Sequence, residues 1–349
     1  MDITSGTLDE ALERLHTSGP EFQGFLSNHG PMAVEALVRH GQARTVHRWL
    51  DRYETKLEDV PSPQARITDE NWHEALGDRN RVTDWTTYFT HAIAERPWRE
   101  VLAEWWPRLL PGIAGAATHP VIRVGHAVRT LLEEGEEAPR VAELAHAIGY
   151  WAARHTTLPV SVSPRGAASP DAALAALPRV PDQQGGVLAR VAQLPDTAGW
   201  QEAADALNGP DDPEAARDQL TALVRATVHR YVGYGHGHGV LLVHSATAPN
   251  AVLRTLPALP RELWVPSLTA AWTASAALVA AFSPAEAQPS PDTGSLTPEE
   301  VFERAAAHGD EHVIKLTDTA LDVASWTEDG DDRALAAGLR STELIPSEF

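Results

Sequence analysis

Pro120-Val-Ile-Arg-Val-Gly-His-Ala-Val-Arg-Thr-Leu-Leu-Glu-Glu134 and, a few residues on, Arg140-Val-Ala-Glu-Leu-Ala-His-Ala-Ile-Gly-Tyr-Trp-Ala-Ala-Arg-His155 decide the fold. In the first, Val121, Val124, Val128 and Leu131 recur at steps of three and four residues. In the second, Val141, Leu144, Ile148 and Trp151 do the same. That spacing lays an apolar stripe along a helix and scatters it on both faces of a strand. The same pattern, bounded by proline or glycine, runs through 32–40, 43–53, 82–95, 98–109, 213–231, 240–256, 263–282, 298–308 and 308–326. Pro31 and Pro298 sit at helix starts, where a missing N–H does no harm. Thr7 and Glu10 have capping-box spacing for a helix over 7–16, and Thr68-Asp69 offers an N-cap for one over 67–76. No strand alternation of useful length and no fixed-period repeat appears. The expectation is an all-α protein, one large helical domain over 1–349 with a multi-helix bundle core. Two proline- and serine-rich excursions, 158–186 and 283–297, interrupt it as surface loops.

Composition removes several kinds of chemistry. The 349 residues are 43% hydrophobic, enough for a substantial core, and carry a formal charge of −20. Such an acidic surplus argues against a nucleic-acid partner, because little basic charge is present to displace counterions. No cysteine is present, which excludes disulfides, thiolate zinc, iron–sulfur clusters and a thiol nucleophile. Any metal must be held by histidine or oxygen ligands, and there are 16 histidines. Of the 28 basic residues only Lys56 and Lys315 are lysines; the rest are arginines. No glycine-rich dinucleotide fingerprint or phosphate loop is present. The start of the chain carries no charged-then-apolar leader, and 263–282 is interrupted by proline, serine and threonine. We therefore expect a cytoplasmic protein with no membrane span.

The sharpest local signal is His308-Gly-Asp-Glu-His312-Val-Ile-Lys315. If helical throughout, it puts His308, His312 and Lys315 on one side. His29, at Ser27-Asn28-His29-Gly30-Pro31, and His119, at Thr118-His119-Pro120, both fall where helices begin; His126 follows seven residues after His119. His244 lies in the apolar run Leu241-Leu-Val-His-Ser-Ala-Thr247. Each alone reads as a structural histidine. Several on separate helices, with a lone lysine, read as a convergent metal site in a bundle core. His126, His236, His238 and His308, with Tyr231 and Tyr234, are candidates for substrate contact or acid–base work, the catalytic set being His126, His236, His308 and Tyr234.

These stretches resemble the questin oxidase-like family. The resemblance is carried by Asn28-His29-Gly30, Trp72-His-Glu-Ala-Leu-Gly77, Tyr88-Phe89, Thr118-His-Pro-Val-Ile-Arg-Val-Gly125, Leu242-Val-His-Ser-Ala-Thr-Ala-Pro-Asn250 and His308–Lys315, in that order over roughly residues 5–325. It implies an oxygenase that inserts oxygen into, or cleaves a ring of, an anthraquinone-type aromatic polyketide. It also implies a mononuclear non-haem iron, Fe(2+), held by His29, His119, His244, His312 and a carbamate on Lys315. His308 remains an alternative to His312, and His126 to His119. The partners implied are the aromatic small molecule and dioxygen. A carbamate needs a neutral amine: a buried lysine loses its proton readily and arginine does not. Three other readings stay open: a Baeyer–Villiger-type monooxygenase drawing electrons from NADPH, a metal-dependent hydrolase using a carboxylated lysine and the His236-Gly-His238 pair, and a helical scaffold without activity.

Overall fold

The computed structural model describes residues 3–347, and these are helical nearly throughout. Seventeen α-helices and a single hairpin of two-residue strands, Glu21–Phe22 paired antiparallel with Leu26–Ser27, appear among the described residues. The all-α expectation holds. Packing divides the chain into two compact units, residues 1–157 with 254–260, and residues 158–253 with 261–349.

The first unit contains α1 (Ile3–Leu15), α2 (Gly30–Arg39), α3 (Ala43–Tyr53), α4 (Trp72–Ala75), α5 (Val82–Glu95), α6 (Trp98–Leu109), α7 (His119–Glu133) and α8 (Ala138–Ala153). α8 is its centre and packs on α5 and α7. The stripes read from the sequence are the buried faces: Val121, Val124, Val128 and Leu131 on α7, Leu144, Ile148 and Trp151 on α8. α5 approaches α8 closely because Gly149 has no side chain; a Cβ there would lie 2.9 Å from the Thr86 backbone nitrogen. Trp105 is the hub of an aromatic cluster, with the rings of Trp72, Trp85, Tyr88 and Phe89 centred 5.0–5.5 Å away, largely edge-on.

The second unit contains α9 (Pro170–Ala176), α10 (Val187–Val191), α11 (Trp200–Asp205), α12 (Pro213–Tyr234), α13 (Gly239–Thr255, its last two residues counted with the first unit), α14 (Trp264–Phe282), α15 (Pro298–His308), α16 (Glu311–Ser325) and α17 (Asp332–Leu344). α14 packs on α12 and α10. With the turn before it, α14 is long and apolar enough to cross a bilayer, but 72% of its apolar window is buried inside the protein. α16 packs against α15, α17 and α12. Asn250 ties α13 to α16 by donating from Nδ2 to Asp322 Oδ2 at 2.9 Å.

Four boundaries differ from the sequence reading, each for a local reason. The first helix opens at Ile3, so Thr7 lies inside it rather than at its start. Over 67–76 only Trp72–Ala75 is helical. Asn71 Oδ1 accepts from the Thr68 N–H at 2.8 Å, and Thr68 Oγ1 from the Glu70 N–H at 3.3 Å. Side chains thereby close a turn that competes with the helix. The run 308–326 is broken at Gly309, whose φ of 84° ends α15, and Asp310 restarts the chain as the N-cap of α16. Finally α17 lies beyond the point where the sequence reading ended the helices, N-capped by Asp331, which accepts from the Ala334 N–H.

Gly149→Ala should destabilise the protein by about 1–3 kcal/mol, because the Thr86 backbone cannot move aside without parting α5 from α8. Gly6→Ala, with open space around it, should instead stabilise α1 by about 0.5–1 kcal/mol. Urea unfolding of the two variants checks the contrast.

Candidate functional site

In the first unit two helices begin at a histidine. His29 is the residue before α2, and His119 is the first residue of α7. Asn28 shapes the turn into α2: its Oδ1 accepts from the Gly30 N–H at 2.9 Å and its Nδ2 donates to Gly19 O at 3.1 Å. The His29 N–H donates to the Tyr53 hydroxyl at 2.6 Å. Both histidines are buried, and their rings meet edge-on with centroids 4.4 Å apart. Each offers a ring nitrogen within 4.8 Å of the other's. The chain enters His119 through three left-handed residues, Ala116 (φ 43°), Ala117 (φ 52°) and Thr118 (φ 71°). Such a conformation costs a side-chain-bearing residue about 1–2 kcal/mol. His119 Nδ1 lies 2.5 Å from Ala116 O, so Nδ1 carries the proton and Nε2 the lone pair.

The same helices carry buried ion pairs. Glu35 of α2 meets Arg129 Nε at 2.8 Å and Arg129 Nη2 on its other oxygen, and His126 Nδ1 at 2.7 Å. Burial pulls the His126 imidazolium below its ordinary range, against the pull of Glu35. His126, two turns into α7, is thus engaged by a carboxylate, whereas His119 stands beside His29. Glu143 of α8 accepts from Arg123 at 2.5 and 2.7 Å and lies 2.9 Å from His16 Nε2. Burial opposes its charge, but Arg123 and His16 prevail and hold its carboxyl at about 2. His146 stacks on His16 with centroids 4.3 Å apart. Burial, then repulsion from His16 and Arg123, presses it down to about 3. Glu35, Glu143, His16 and His146 were absent from the sequence-derived set; the only signal for them was a carboxylate or histidine set among apolar neighbours on an amphipathic helix.

In the second unit His244 of α13 and His312 of α16 are both buried, with ring centroids 5.5 Å apart and ring nitrogens within 4.8 Å. Asp310 positions His312 by accepting from the His312 and Val313 N–H groups at 2.8 and 3.2 Å. Its carboxylate also lies 3.5 Å from His312 Nδ1. Lys315 follows one turn later on the same side of α16, fully buried. Its Nζ has no hydrogen-bond partner among the described residues. Burial draws its pKa down to about 7, against the opposite pull of Glu311 and Asp310. His308 does not share this helix. Its Nε2 donates to Ile345 O at 3.0 Å, and its Nδ1 accepts from the Asp310 N–H at 3.4 Å, so both nitrogens serve the backbone.

The remaining candidates lie at the end of α12. His236 is half-buried in the short turn Gly235–Gly237, with Nδ1 buried and without a hydrogen-bond partner among the described residues. His238 is exposed and packs edge-on against Phe282, and its Nδ1 accepts from the Leu241 N–H. Tyr231 donates its hydroxyl to Gly239 O at 2.9 Å, while Tyr234 lies under the Arg230 guanidinium, 4.2 Å away. Lys56, the other lysine, sits over the Tyr53 ring, 4.4 Å from its centre.

Taken one unit at a time, the protein is an all-α molecule with paired imidazoles in its interior and, beside one pair, a buried lysine without a hydrogen-bond partner among the described residues. The model of the family described as Questin oxidase-like matches residues 26–138, and the resemblance read from the sequence holds over that stretch. The matched stretch runs from the second strand of the hairpin to the first residue of α8 and contains His29, His119 and His126. The family points to an oxidoreductase acting on aromatic polyketides. No curated protein matches the chain.

Both Glu143 and His146 bind protons more readily unfolded than folded. Their stabilisation is complete above the ordinary histidine value of 6.5. It declines as pH falls, first through His146 and, below 4.5, through Glu143 as well. The urea midpoint should therefore drop between about pH 7 and about pH 4. His146→Asn should flatten that slope, and an unaltered slope in this variant would refute the assignment.

Proposed function

We propose that this protein is an oxygenase of the questin oxidase-like kind, using a mononuclear non-haem iron to oxidise an aromatic polyketide of the anthraquinone type. The proposed donors are His29, His119, His244, His312 and a carbamate on Lys315. The observation that carries the reading is Lys315: a fully buried amine with no hydrogen-bond partner among the described residues, one helical turn from a buried histidine. Burial of an ammonium without a partner is so unfavourable that the neutral amine is the form expected there. A neutral amine adds carbon dioxide and releases a proton, becoming an anionic oxygen donor on a long arm.

The donor set suits a divalent first-row metal ion, since imidazole and carboxylate-type oxygen are the ligands such ions take in cysteine-free sites. Iron(II) supplies one-electron chemistry with dioxygen, which otherwise reacts slowly with closed-shell aromatics. The protein's own residues do the rest. Ala116 O holds the His119 proton on Nδ1, and Asp310 anchors the turn that carries His312. A hydroquinone or phenol substrate provides electrons of its own, so NADPH is a further donor to be tested rather than a requirement.

Purified protein should contain stoichiometric iron, and Lys315→Ala should lose it along with activity. Bicarbonate with a short carboxylate should partly restore both in Lys315→Ala, whereas Lys315→Arg should not recover. Wild-type iron and turnover in Lys315→Ala would refute the ligand assignment. Oxygen uptake with substrate alone supports the reading, and a strict dependence on NADPH would shift it to the Baeyer–Villiger alternative.

A further inference from the structure

Residues 115–120 make four unfavourable backbone choices in a row. Ala116, Ala117 and Thr118 are all left-handed, and none is glycine. L-residues visit that region singly, and a β-branched threonine there is an outlier. His119 then turns right-handed helical, at φ −53° and ψ −42°, directly before Pro120, where the proline ring disfavours that conformation. The segment is held at both ends. Gly115 is pressed so close to the Arg154 carbonyl that a Cβ would sit 2.0 Å from its oxygen, and Ile113 pairs with Thr156 in a bridge. On the other side α7 begins at His119, with Pro120 in its first turn. The Thr118 hydroxyl is buried without a hydrogen-bond partner among the described residues. A contact accompanies this strain: the reversed turn aims the Ala116 carbonyl back at the His119 ring, 2.5 Å from Nδ1.

We propose that the left-handed turn Ala116–Thr118 is a positioning device that locks His119 in the Nδ1–H form and fixes its ring, presenting Nε2 as a ready metal donor. Ala116, through its carbonyl, is the positioning residue. An ordinary helix start would send that carbonyl along the helix axis and leave the imidazole to choose its own tautomer and rotamer. Backbone strain persists where the surrounding structure over-determines it, and strain of this kind clusters at sites that must be preorganised. A hydrogen bond to the far nitrogen of a metal-ligating histidine is the usual means of setting its tautomer and raising its basicity. The proposal rests on the iron reading for its purpose but not for its geometry.

Nitrogen-15 NMR of the metal-free wild-type protein should show His119 protonated on Nδ1 and bare on Nε2; the reverse tautomer overturns the proposal. Ala117→Gly accepts the positive φ freely, so it should keep the turn and the locked ring and raise the unfolding midpoint. Ala117→Val disfavours the left-handed path, since a β-branched residue rarely takes a positive φ. Its His119 ring should show a mixture of tautomers, and its iron(II) affinity should fall by about 10–100-fold. A role confined to packing predicts a lower midpoint with a locked ring and unchanged iron(II) binding in Ala117→Val, and that result overturns the proposal. If wild-type protein takes up no iron(II), the proposed function fails. The tautomer in wild type and its loss in Ala117→Val still decide the positioning role.

Discussion

Charge taken out of water is the constraint on which this structure depends. Glu35 and Glu143 are each only 3% exposed, and each is met by the fork of an arginine from α7. Removing one partner of such a pair leaves an uncompensated buried charge, at a cost of about 3–5 kcal/mol. The pairs also set register. Glu35 lies six residues after His29, and His126, which touches it, lies seven after His119. At 1.5 Å of rise per residue these are roughly 9 and 10.5 Å along parallel helices, so the ion pair levels the two helix starts to within about 1.5 Å. That alignment is what brings the His29 and His119 rings to edge-on contact.

The second unit treats its buried charge in the opposite way. Lys315 has no carboxylate in hydrogen-bonding reach among the described residues, although Asp310 and Glu311 are close in sequence. Asp310 is engaged as a cap, accepting from two backbone N–H groups at the start of α16. Lys315 lies just past the first turn of that helix, and helical side chains lean towards the N-terminus. The helix dipole there disfavours a cation and favours an anion. Burial, the missing partner and the dipole therefore act in one direction on the same amine. They favour the neutral amine over the ammonium at this position.

Much of this was readable from the residues, and the failures have physical causes. Helices with a long apolar stripe, such as α7 and α8, appear nearly where the spacing placed them, because burying such a stripe dominates any local preference. His29, His119, His244, His312 and Lys315 stood out in the sequence as candidate ligands, and all five are buried. His308 was misplaced because helical periodicity ran unbroken across Gly309; a glycine at positive φ and an aspartate cap ended one helix and began another. The strained turn before His119 had no signal at all. Ala116-Ala117-Thr118 carries no glycine or asparagine to announce a left-handed path, and the close approach of Gly115 to the Arg154 carbonyl beside it is a tertiary contact.

The arginine-rich composition acquires a physical meaning at the level of single positions. The three arginines buried below a tenth of their surface, Arg123, Arg129 and Arg140, each grip a carboxylate with more than one nitrogen. A planar, permanently charged fork suits that task, and lysine offers only a point charge. At Lys315 the demands are reversed: no acid grips the nitrogen, and only a group able to give up its proton can be buried so completely. The chain's general preference for arginine thus has its exception where an arginine would be a buried cation with no carboxylate in reach among the described residues.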